Sequence, residues 1–473
     1  MRERKTYVKV ISFILILTFI LISADHVLKV KYVDGIYSMQ RFYELEDNSV
    51  DVLFLGSSHA FETYNTSVLW DEYGIASFVL GGSVQPVWNT YFFMKEALKT
   101  QTPDLIVLEA YCCTFPVLDE LNDYSRQIKN CYGMKPSLNK LEAMCVTTTH
   151  SNATFSNNLK FFFPISNYSS RYNELAMEDF VDIKQIRKYE NWMGFATNYE
   201  SEEKDTPCLP HEGPEAPMPE EVEEYYRKIL KLAEEKQIPI LVVVSPYPDI
   251  TEEDAAIFRY AERITGEYNG AAFWNPALDP SSIGLDYSIH AAPGLHLNEK
   301  GNKIYTECFG SFIKSNYSIH DRRGDPGYQS WEDCSTYLKR LDSIDRMRKQ
   351  HDFESICDQI KEERFCTFIL VGKNCTNASE LMRPLGETEY EPFSVYCFND
   401  GKNKAWYLNT DVITYQQIYL LFHDDLTYSD RSRLSEEYAA EAKSIKVVIY
   451  DTITDDVCDV FTIDGSNPGF ADR

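Results

Sequence analysis

Asp51-Val52-Leu53-Phe54-Leu55-Gly56-Ser57-Ser58-His59 is a short apolar run that stops at a glycine and two serines, with helical spacing resuming just beyond. Such a run reads as a strand feeding a helix through a tight turn. It puts a hydroxyl at the carboxyl edge of a sheet, where open α/β folds bind their ligands. Backbone N–H groups at a turn of this kind also suit a developing negative charge. The plainer reading is that Ser57 and Ser58 cap the helix, since serine is a favoured N-cap residue. On this stretch alone both readings stand.

Working outward, the pattern repeats. Helical spacing over Thr66 to Tyr73 precedes a second strand, Ala76-Ser77-Phe78-Val79-Leu80, which ends in Gly81-Gly82-Ser83. Pro86 opens a helix to about Lys99, and Pro103 to Glu109 is a third strand whose unbroken apolar character implies burial on both faces. Regular alternation is lost between about residues 115 and 219, a stretch holding Phe161-Phe162-Phe163-Pro164, Arg171 and Trp192. It resumes with a helix from Pro219 to Lys236, a strand ending in Val244-Ser245-Pro246, a helix from Glu252 to Tyr268 and a strand over Ala271 to Trp274. Residues 298–315 close the series as a helix. Five strands separated by helices predict an α/β fold, a five-stranded doubly wound parallel sheet with one large insertion.

The chain has 473 residues, more than one ordinary domain. Residues 1–25 read as an anchor, 26–47 as a linker and 48–335 as the α/β domain. Residues 336–473 read as a helical linker followed by a small α+β or β-rich module, with strands near 367–371, 393–398 and 445–450. Arg2, Arg4, Lys5 and Lys9 flank the apolar run Val10 to Ala24, which Asp25 ends. Basic residues before a lone apolar span predict a single membrane pass, N-terminus in the cytoplasm and bulk outside. A cleaved signal peptide is the alternative. A formal charge of -27 argues against nucleic acid or an anionic membrane surface as partner. The 12 cysteines show no paired C-x-x-C spacing, which disfavours a structural zinc site. Their even number permits disulfides without fixing any. Asn65, Asn152 and Asn374 begin Asn-x-Ser/Thr triplets, short enough to arise by chance.

Far downstream, Gly294-Leu295-His296-Leu297-Asn298-Glu299-Lys300-Gly301 sets a histidine just before a helix. A serine needs a base to become a nucleophile at neutral pH, and a histidine supplies one. With Gly56-Ser57-Ser58-His59 and His296-Leu297-Asn298-x-x-Gly301, the stretch from about residue 45 to 335 resembles the SGNH (GDSL-like) hydrolase superfamily. It is most similar to the membrane-anchored extracytoplasmic branch that includes the alginate O-acetylation proteins and the D-alanine transfer protein of teichoic acids. The resemblance implies Ser58 as nucleophile, His296 as base, the N–H groups of Ser58 and Gly82 as oxyanion donors, and no cofactor. It further implies a serine esterase or O-acyltransferase whose partners are a cell-surface polysaccharide or its acyl donor, and a multispanning acyl exporter.

Two positions depart from that pattern. Glu109-Ala110-Tyr111 stands where many members carry Gly-x-Asn-Asp, removing an asparagine donor. Pro293 stands three residues before the histidine, where the acid of the triad is usual. Asp286 is the acid within Leu285 to His296 and can serve if the loop folds back; Glu109, a backbone carbonyl or a water are other ways to orient the ring. Gln85, Glu109, His290 and Arg171 complete the candidate substrate-binding set, each with an ordinary structural role as its alternative. Asp286, His290 and His296 lack the i, i+4 histidine spacing of a helical metal site, so no metal is expected. The departures also motivate a second reading, a noncatalytic scaffold or glycan-binding subunit of a surface-polymer assembly.

Overall fold

The computed structural model describes residues 2–28, 35–114, 130–150, 155, 161–162, 169–173, 175, 177–180, 193–385, 389–399, 402–408, 410–423, 433–464 and 471–473. Phe163, Pro164, Trp192 and Asn152 lie outside the described residues. The chain divides into two compact units, Met1–Lys184 with Tyr189–Ser335, and Gln185–Lys188 with Thr336–Arg473.

In the first unit, β1 (Val52–Gly56), β2 (Ser77–Gly81), β3 (Leu105–Glu109), β4 (Ile240–Val243) and β5 (Ala271–Trp274) form one all-parallel sheet in the order β2-β1-β3-β4-β5. Every residue of β1 to β4 is buried, as continuous Val, Ile and Leu runs require when helices cover both faces. β5, at the edge, is partly exposed. The chain moves from β1 outward to β2 and then back across to β3. The crevice of such a sheet therefore opens beyond the carboxyl ends of β1 and β3.

Helices join the strands much as the spacing predicts. α3 (Ser58–Phe61) and α4 (Thr66–Tyr73) follow β1, and α5 (Val87–Ala97) follows β2. α6 (Leu138–Thr149) lies in the insertion, and α7 (Glu220–Lys236), α8 (Glu252–Thr265), α9 (Tyr287–His290) and α10 (Glu299–Asn316) come after it. Thr251 and Asp254 form a reciprocal capping box that starts α8. Asn65 caps α4 and is buried, so its glycosylation triplet is committed to structure. Phe54, Tyr64, Tyr305 and Phe309 build the aromatic centre of the core, with Phe54 stacked on Tyr64 at 4.3 Å.

α1 (Arg2–Leu28) runs three residues past Asp25, and its stretch Tyr7–Leu28, of mean hydropathy 2.3, is long and apolar enough to cross a membrane. Residues 26–47 hold more than a linker: α2 (Ile36–Phe42) buries Ile36, Met39 and Phe42, a one-face spacing too short to stand out in the sequence. The Sγ atoms of Cys366 and Cys397, in neighbouring strands of the second unit's sheet, lie 3.6 Å apart.

The second unit carries an antiparallel sheet in the order Lys402–Leu408, Ser394–Asn399, Cys366–Val371, Ser444–Asp451, Asp456–Asp464. Preceding it in sequence, the charged helical stretch is two helices, Gln329–Arg348 and Phe353–Glu363. Asp352 starts the second by accepting the N–H of Ser355.

Gly81 is where β2 meets the turn after β1. A Cβ there would lie 2.7 Å from the Gly56 carbonyl oxygen and 3.2 Å from that of Ser57, both backbone atoms that cannot swing aside. Gly81→Ala is expected to cost about 1–3 kcal/mol, as overpacking does. Urea unfolding checks this as a lower midpoint at an unchanged m value.

Candidate active site

The turn after β1 separates the roles of its two serines. Ser57 is buried and caps α3, its hydroxyl accepting the N–H of His59. Ser58, the first residue of the helix, is half-buried, so capping leaves its hydroxyl uncommitted. Gly56 makes the turn possible: a Cβ would come within 2.8 Å of the Glu109 Cβ and 3.1 Å of the Ala60 Cβ. The N–H of Glu62 donates to the Ser58 carbonyl at 2.8 Å, one full α-turn, so Ser58 and Glu62 share a helix face.

His296 reaches that face from a two-residue hairpin, Ala291–Ala292 against His296–Leu297, whose bend has Gly294 at φ +80°. The words around it are structural reasons for its placement. Asn298 caps α10 by accepting the N–H of Gly301 at 3.0 Å and donates to the carbonyls of Ile289 at 2.8 Å and Ala291 at 3.3 Å. Gly301 must be glycine, because a Cβ would sit 2.5 Å from the His290 carbonyl oxygen.

The Nε2 of His296 lies 3.9 Å from a carboxylate oxygen of Glu62. Its Nδ1 is buried and has no hydrogen-bond partner. The ring is 4.7 Å from that of His59, which stacks on Tyr111 at 3.7 Å and meets Tyr247 edge-on at 5.2 Å. Burial lowers the His296 pKa to about 4, so the imidazole is neutral at pH 7 and its approach to Glu62 is not an ion pair at rest. Burial, and then the neighbouring His296, hold His59 well below the ordinary imidazole range. Among the described residues no hydrogen bond joins Ser58 to His296, a contact that often tightens only when substrate binds.

The acids expected to orient His296 are engaged elsewhere. Asp286 caps α9, accepting both the N–H of Ser288 at 3.0 Å and its hydroxyl at 2.7 Å, which hold the carboxylate below its usual range. Its own N–H donates to Nδ1 of His290 at 3.0 Å, so His290 braces the loop as well. The carboxyl of Glu109 lies at the end of β3, buried, and accepts the N–H of Tyr111 at 3.0 Å while its Oε2 has no partner. Burial outweighs that N–H and pushes the Glu109 pKa up to about 8, so the carboxyl is largely protonated at neutral pH.

Gly82 continues from the close contact of Gly81 with the turn, and its open side faces Asn130: a Cβ would be 2.1 Å from the Asn130 Oδ1. Val84, two residues on, holds φ +50°, an outlier for a β-branched residue, in the turn that the Gln85 N–H closes on the Gly82 carbonyl. The side chain of Gln85 is buried and donates to Thr90 at 3.1 Å, while its Oε1 has no hydrogen-bond partner. Arg171 donates to the carbonyl of Leu28 at 2.5 Å and to Asp179 at 2.9 Å, tying the insertion to the end of α1.

One group of ligand-type side chains lies close enough for a cation among the described residues: Asp51, Asp104 and His320, before β1, before β3 and after α10. The Arg322 guanidinium grips Asp51 through three hydrogen bonds of 2.7 to 3.2 Å, occupying the carboxylate that a cation would need.

No known family and no curated protein matches this sequence. The site therefore rests on its own geometry. The sequence motif includes His59 without giving it a role, and Glu62 and Asn130 lie outside the candidate set. Glu62 alone left a usable signal, an acid four residues after the serine at the start of a helix.

Proposed function

We propose that the protein is a membrane-tethered SGNH-type serine esterase or O-acyltransferase that acts on a cell-surface polysaccharide through an acyl-serine. The observation that carries this reading is the approach of His296 Nε2 to Glu62, which shares a helix face with Ser58: a neutral base arrives at the helical turn that presents a half-buried hydroxyl at the carboxyl edge of the sheet. His296 takes the Ser58 proton as Oγ bonds to the acyl carbonyl carbon, and the N–H groups of Ser58 and Gly82 hold the oxyanion. The imidazolium then returns the proton to the departing alcohol or thiol. Water, or a sugar hydroxyl, gives its proton to His296 and attacks the acyl-serine; the imidazolium then returns that proton to Ser58 Oγ as its bond to the acyl carbon breaks, releasing acid or the new ester. Tyr7–Leu28 as the anchor, with Arg2, Arg4 and Lys5 ahead of it, supports a cytoplasmic N-terminus and an outward-facing catalytic unit.

The scaffold reading has one observation in its favour, the buried and unpartnered Nδ1 of His296. Labelling with a serine-directed fluorophosphonate separates the two. The enzyme reading expects a single adduct on the Ser58 peptide, absent from Ser58→Ala. A folded protein that takes no label overturns it in favour of the scaffold.

A further inference from the structure

We propose that Glu62 is the positioning carboxylate of the Ser58–His296 pair, supplied by the nucleophile's own helical turn in place of the acid that Pro293 replaces. This rests on the catalytic reading above. Glu62 ends the turn that Ser58 begins, and its oxygen is 3.9 Å from His296 Nε2. Asp286 is committed to the Ser288 N–H and hydroxyl, and Glu109 is buried at the end of β3 with one oxygen on the Tyr111 N–H. Among the described residues, Glu62 and His59 are ionisable side chains that meet the ring, both from this one helical segment, with Tyr111 and Tyr247 behind His59.

The arrangement differs from the usual triad, in which acid and nucleophile take opposite ring nitrogens. Here the carboxylate and the hydroxyl share one helix face, and the carboxylate is on the Nε2 side. Against a neutral ring at 3.9 Å the carboxylate gains little. Once the ring carries the Ser58 proton, the same separation becomes an ion pair in a largely desolvated setting. The interaction is therefore stronger in the transition state than in the resting enzyme, which is the condition for it to accelerate the reaction. The arrangement also carries a cost. Nε2 accepts a proton only when the ring hydrogen is on Nδ1, where it has no acceptor. A catalyst of this kind is slower than one with a complete triad.

The test uses the full-length protein in detergent, with histidine ring NMR titration and turnover of p-nitrophenyl acetate. Glu62→Gln removes the anion and nearly keeps the shape. It is expected to move the His296 titration downward, the direction of losing an opposite charge at this range. The turnover number should fall roughly 10-fold with KM little changed, and Glu62→Asp should restore part of it. A change that merely opened the pocket to water would move the titration upward instead. An unchanged or raised titration in Glu62→Gln overturns the assignment. If the wild type fails to turn over the ester, the catalytic reading falls, while the titration still decides whether Glu62 and His296 are paired.

Discussion

Exchanging His296 for alanine is expected to slow acylation of Ser58 by p-nitrophenyl acetate about 10³-fold, within the range that a positioned general base contributes. The wild-type pH profile should carry the mark of a desolvated ring. Only neutral imidazole accepts the serine proton, and burial puts its pKa at about 4. The rate therefore falls as pH drops through about 4 and is level between about 5 and 7, rather than declining below 6.5 as for an ordinary histidine. A base this weak gives up part of the driving force for proton transfer, so a modest plateau is part of the expectation. In His296→Ala the acid limb disappears together with the rate. Stopped-flow release of p-nitrophenolate between pH 3.5 and 8 measures both. A wild-type limb near 6.5 would mean that His296 is solvated, and an unaltered rate in His296→Ala would remove it from the chemistry.

The parts of this site that could be read in advance are those where the backbone needs a particular residue. Gly56 is required by the contact with Glu109, Ser57 by the helix start, Gly301 by the His290 carbonyl and Asn298 by the cap of α10. These leave short fixed words in the sequence, and Ser58 and His296 travel with them. The five strands were legible for a related reason, since strands buried on both faces are continuous apolar runs whose boundaries shift by only a residue or two. Side-chain pairing across the fold leaves no such trace. Asp286 has the right chemistry and the wrong place, because its nearest unsatisfied donors are the N–H and hydroxyl of Ser288. Local hydrogen bonds of this type compete successfully with distant ones. Glu62 reads in sequence as a solvent-facing helix residue until a loop more than two hundred positions away brings His296 to it. Gln85 and Arg171 are polar residues whose partners, Thr90 for the Gln85 amide N–H and Asp179 with the Leu28 carbonyl for Arg171, come from distant or tertiary packing that the sequence does not announce. In the second unit, Lys402–Leu408 and Asp456–Asp464 mix charged and apolar residues, so their strand character follows from pairing with neighbours rather than from their own pattern.

Glu109→Gln is expected to stabilise the protein at alkaline pH and to leave acid stability nearly unchanged. The Glu109 pKa is about 8 in the fold against an ordinary value of 4.5, so the folded state holds a proton that the unfolded state has released between those limits. Stability from this group is therefore complete below pH 4.5, falls as pH rises, and is fully lost above about 8. The difference corresponds to roughly 3–5 kcal/mol at pH 9, at 1.36 kcal/mol per unit. Glutamine keeps an oxygen for the Tyr111 N–H and never ionises, so the gap between variant and wild type should open across this window. Urea unfolding of both proteins at pH 4.5, 7 and 9 measures it, and parallel stability curves would mean that Glu109 is solvated or has found a cation. The proton bears on the chemistry too. Glu109 packs directly beneath Gly56, two residues before Ser58, the proposed nucleophile whose attack would create an oxyanion. A carboxylate there would repel that charge in a low-dielectric setting, whereas the neutral acid does not. Wild-type turnover is thus expected to decline with stability above about pH 8, and Glu109→Gln to hold its rate there.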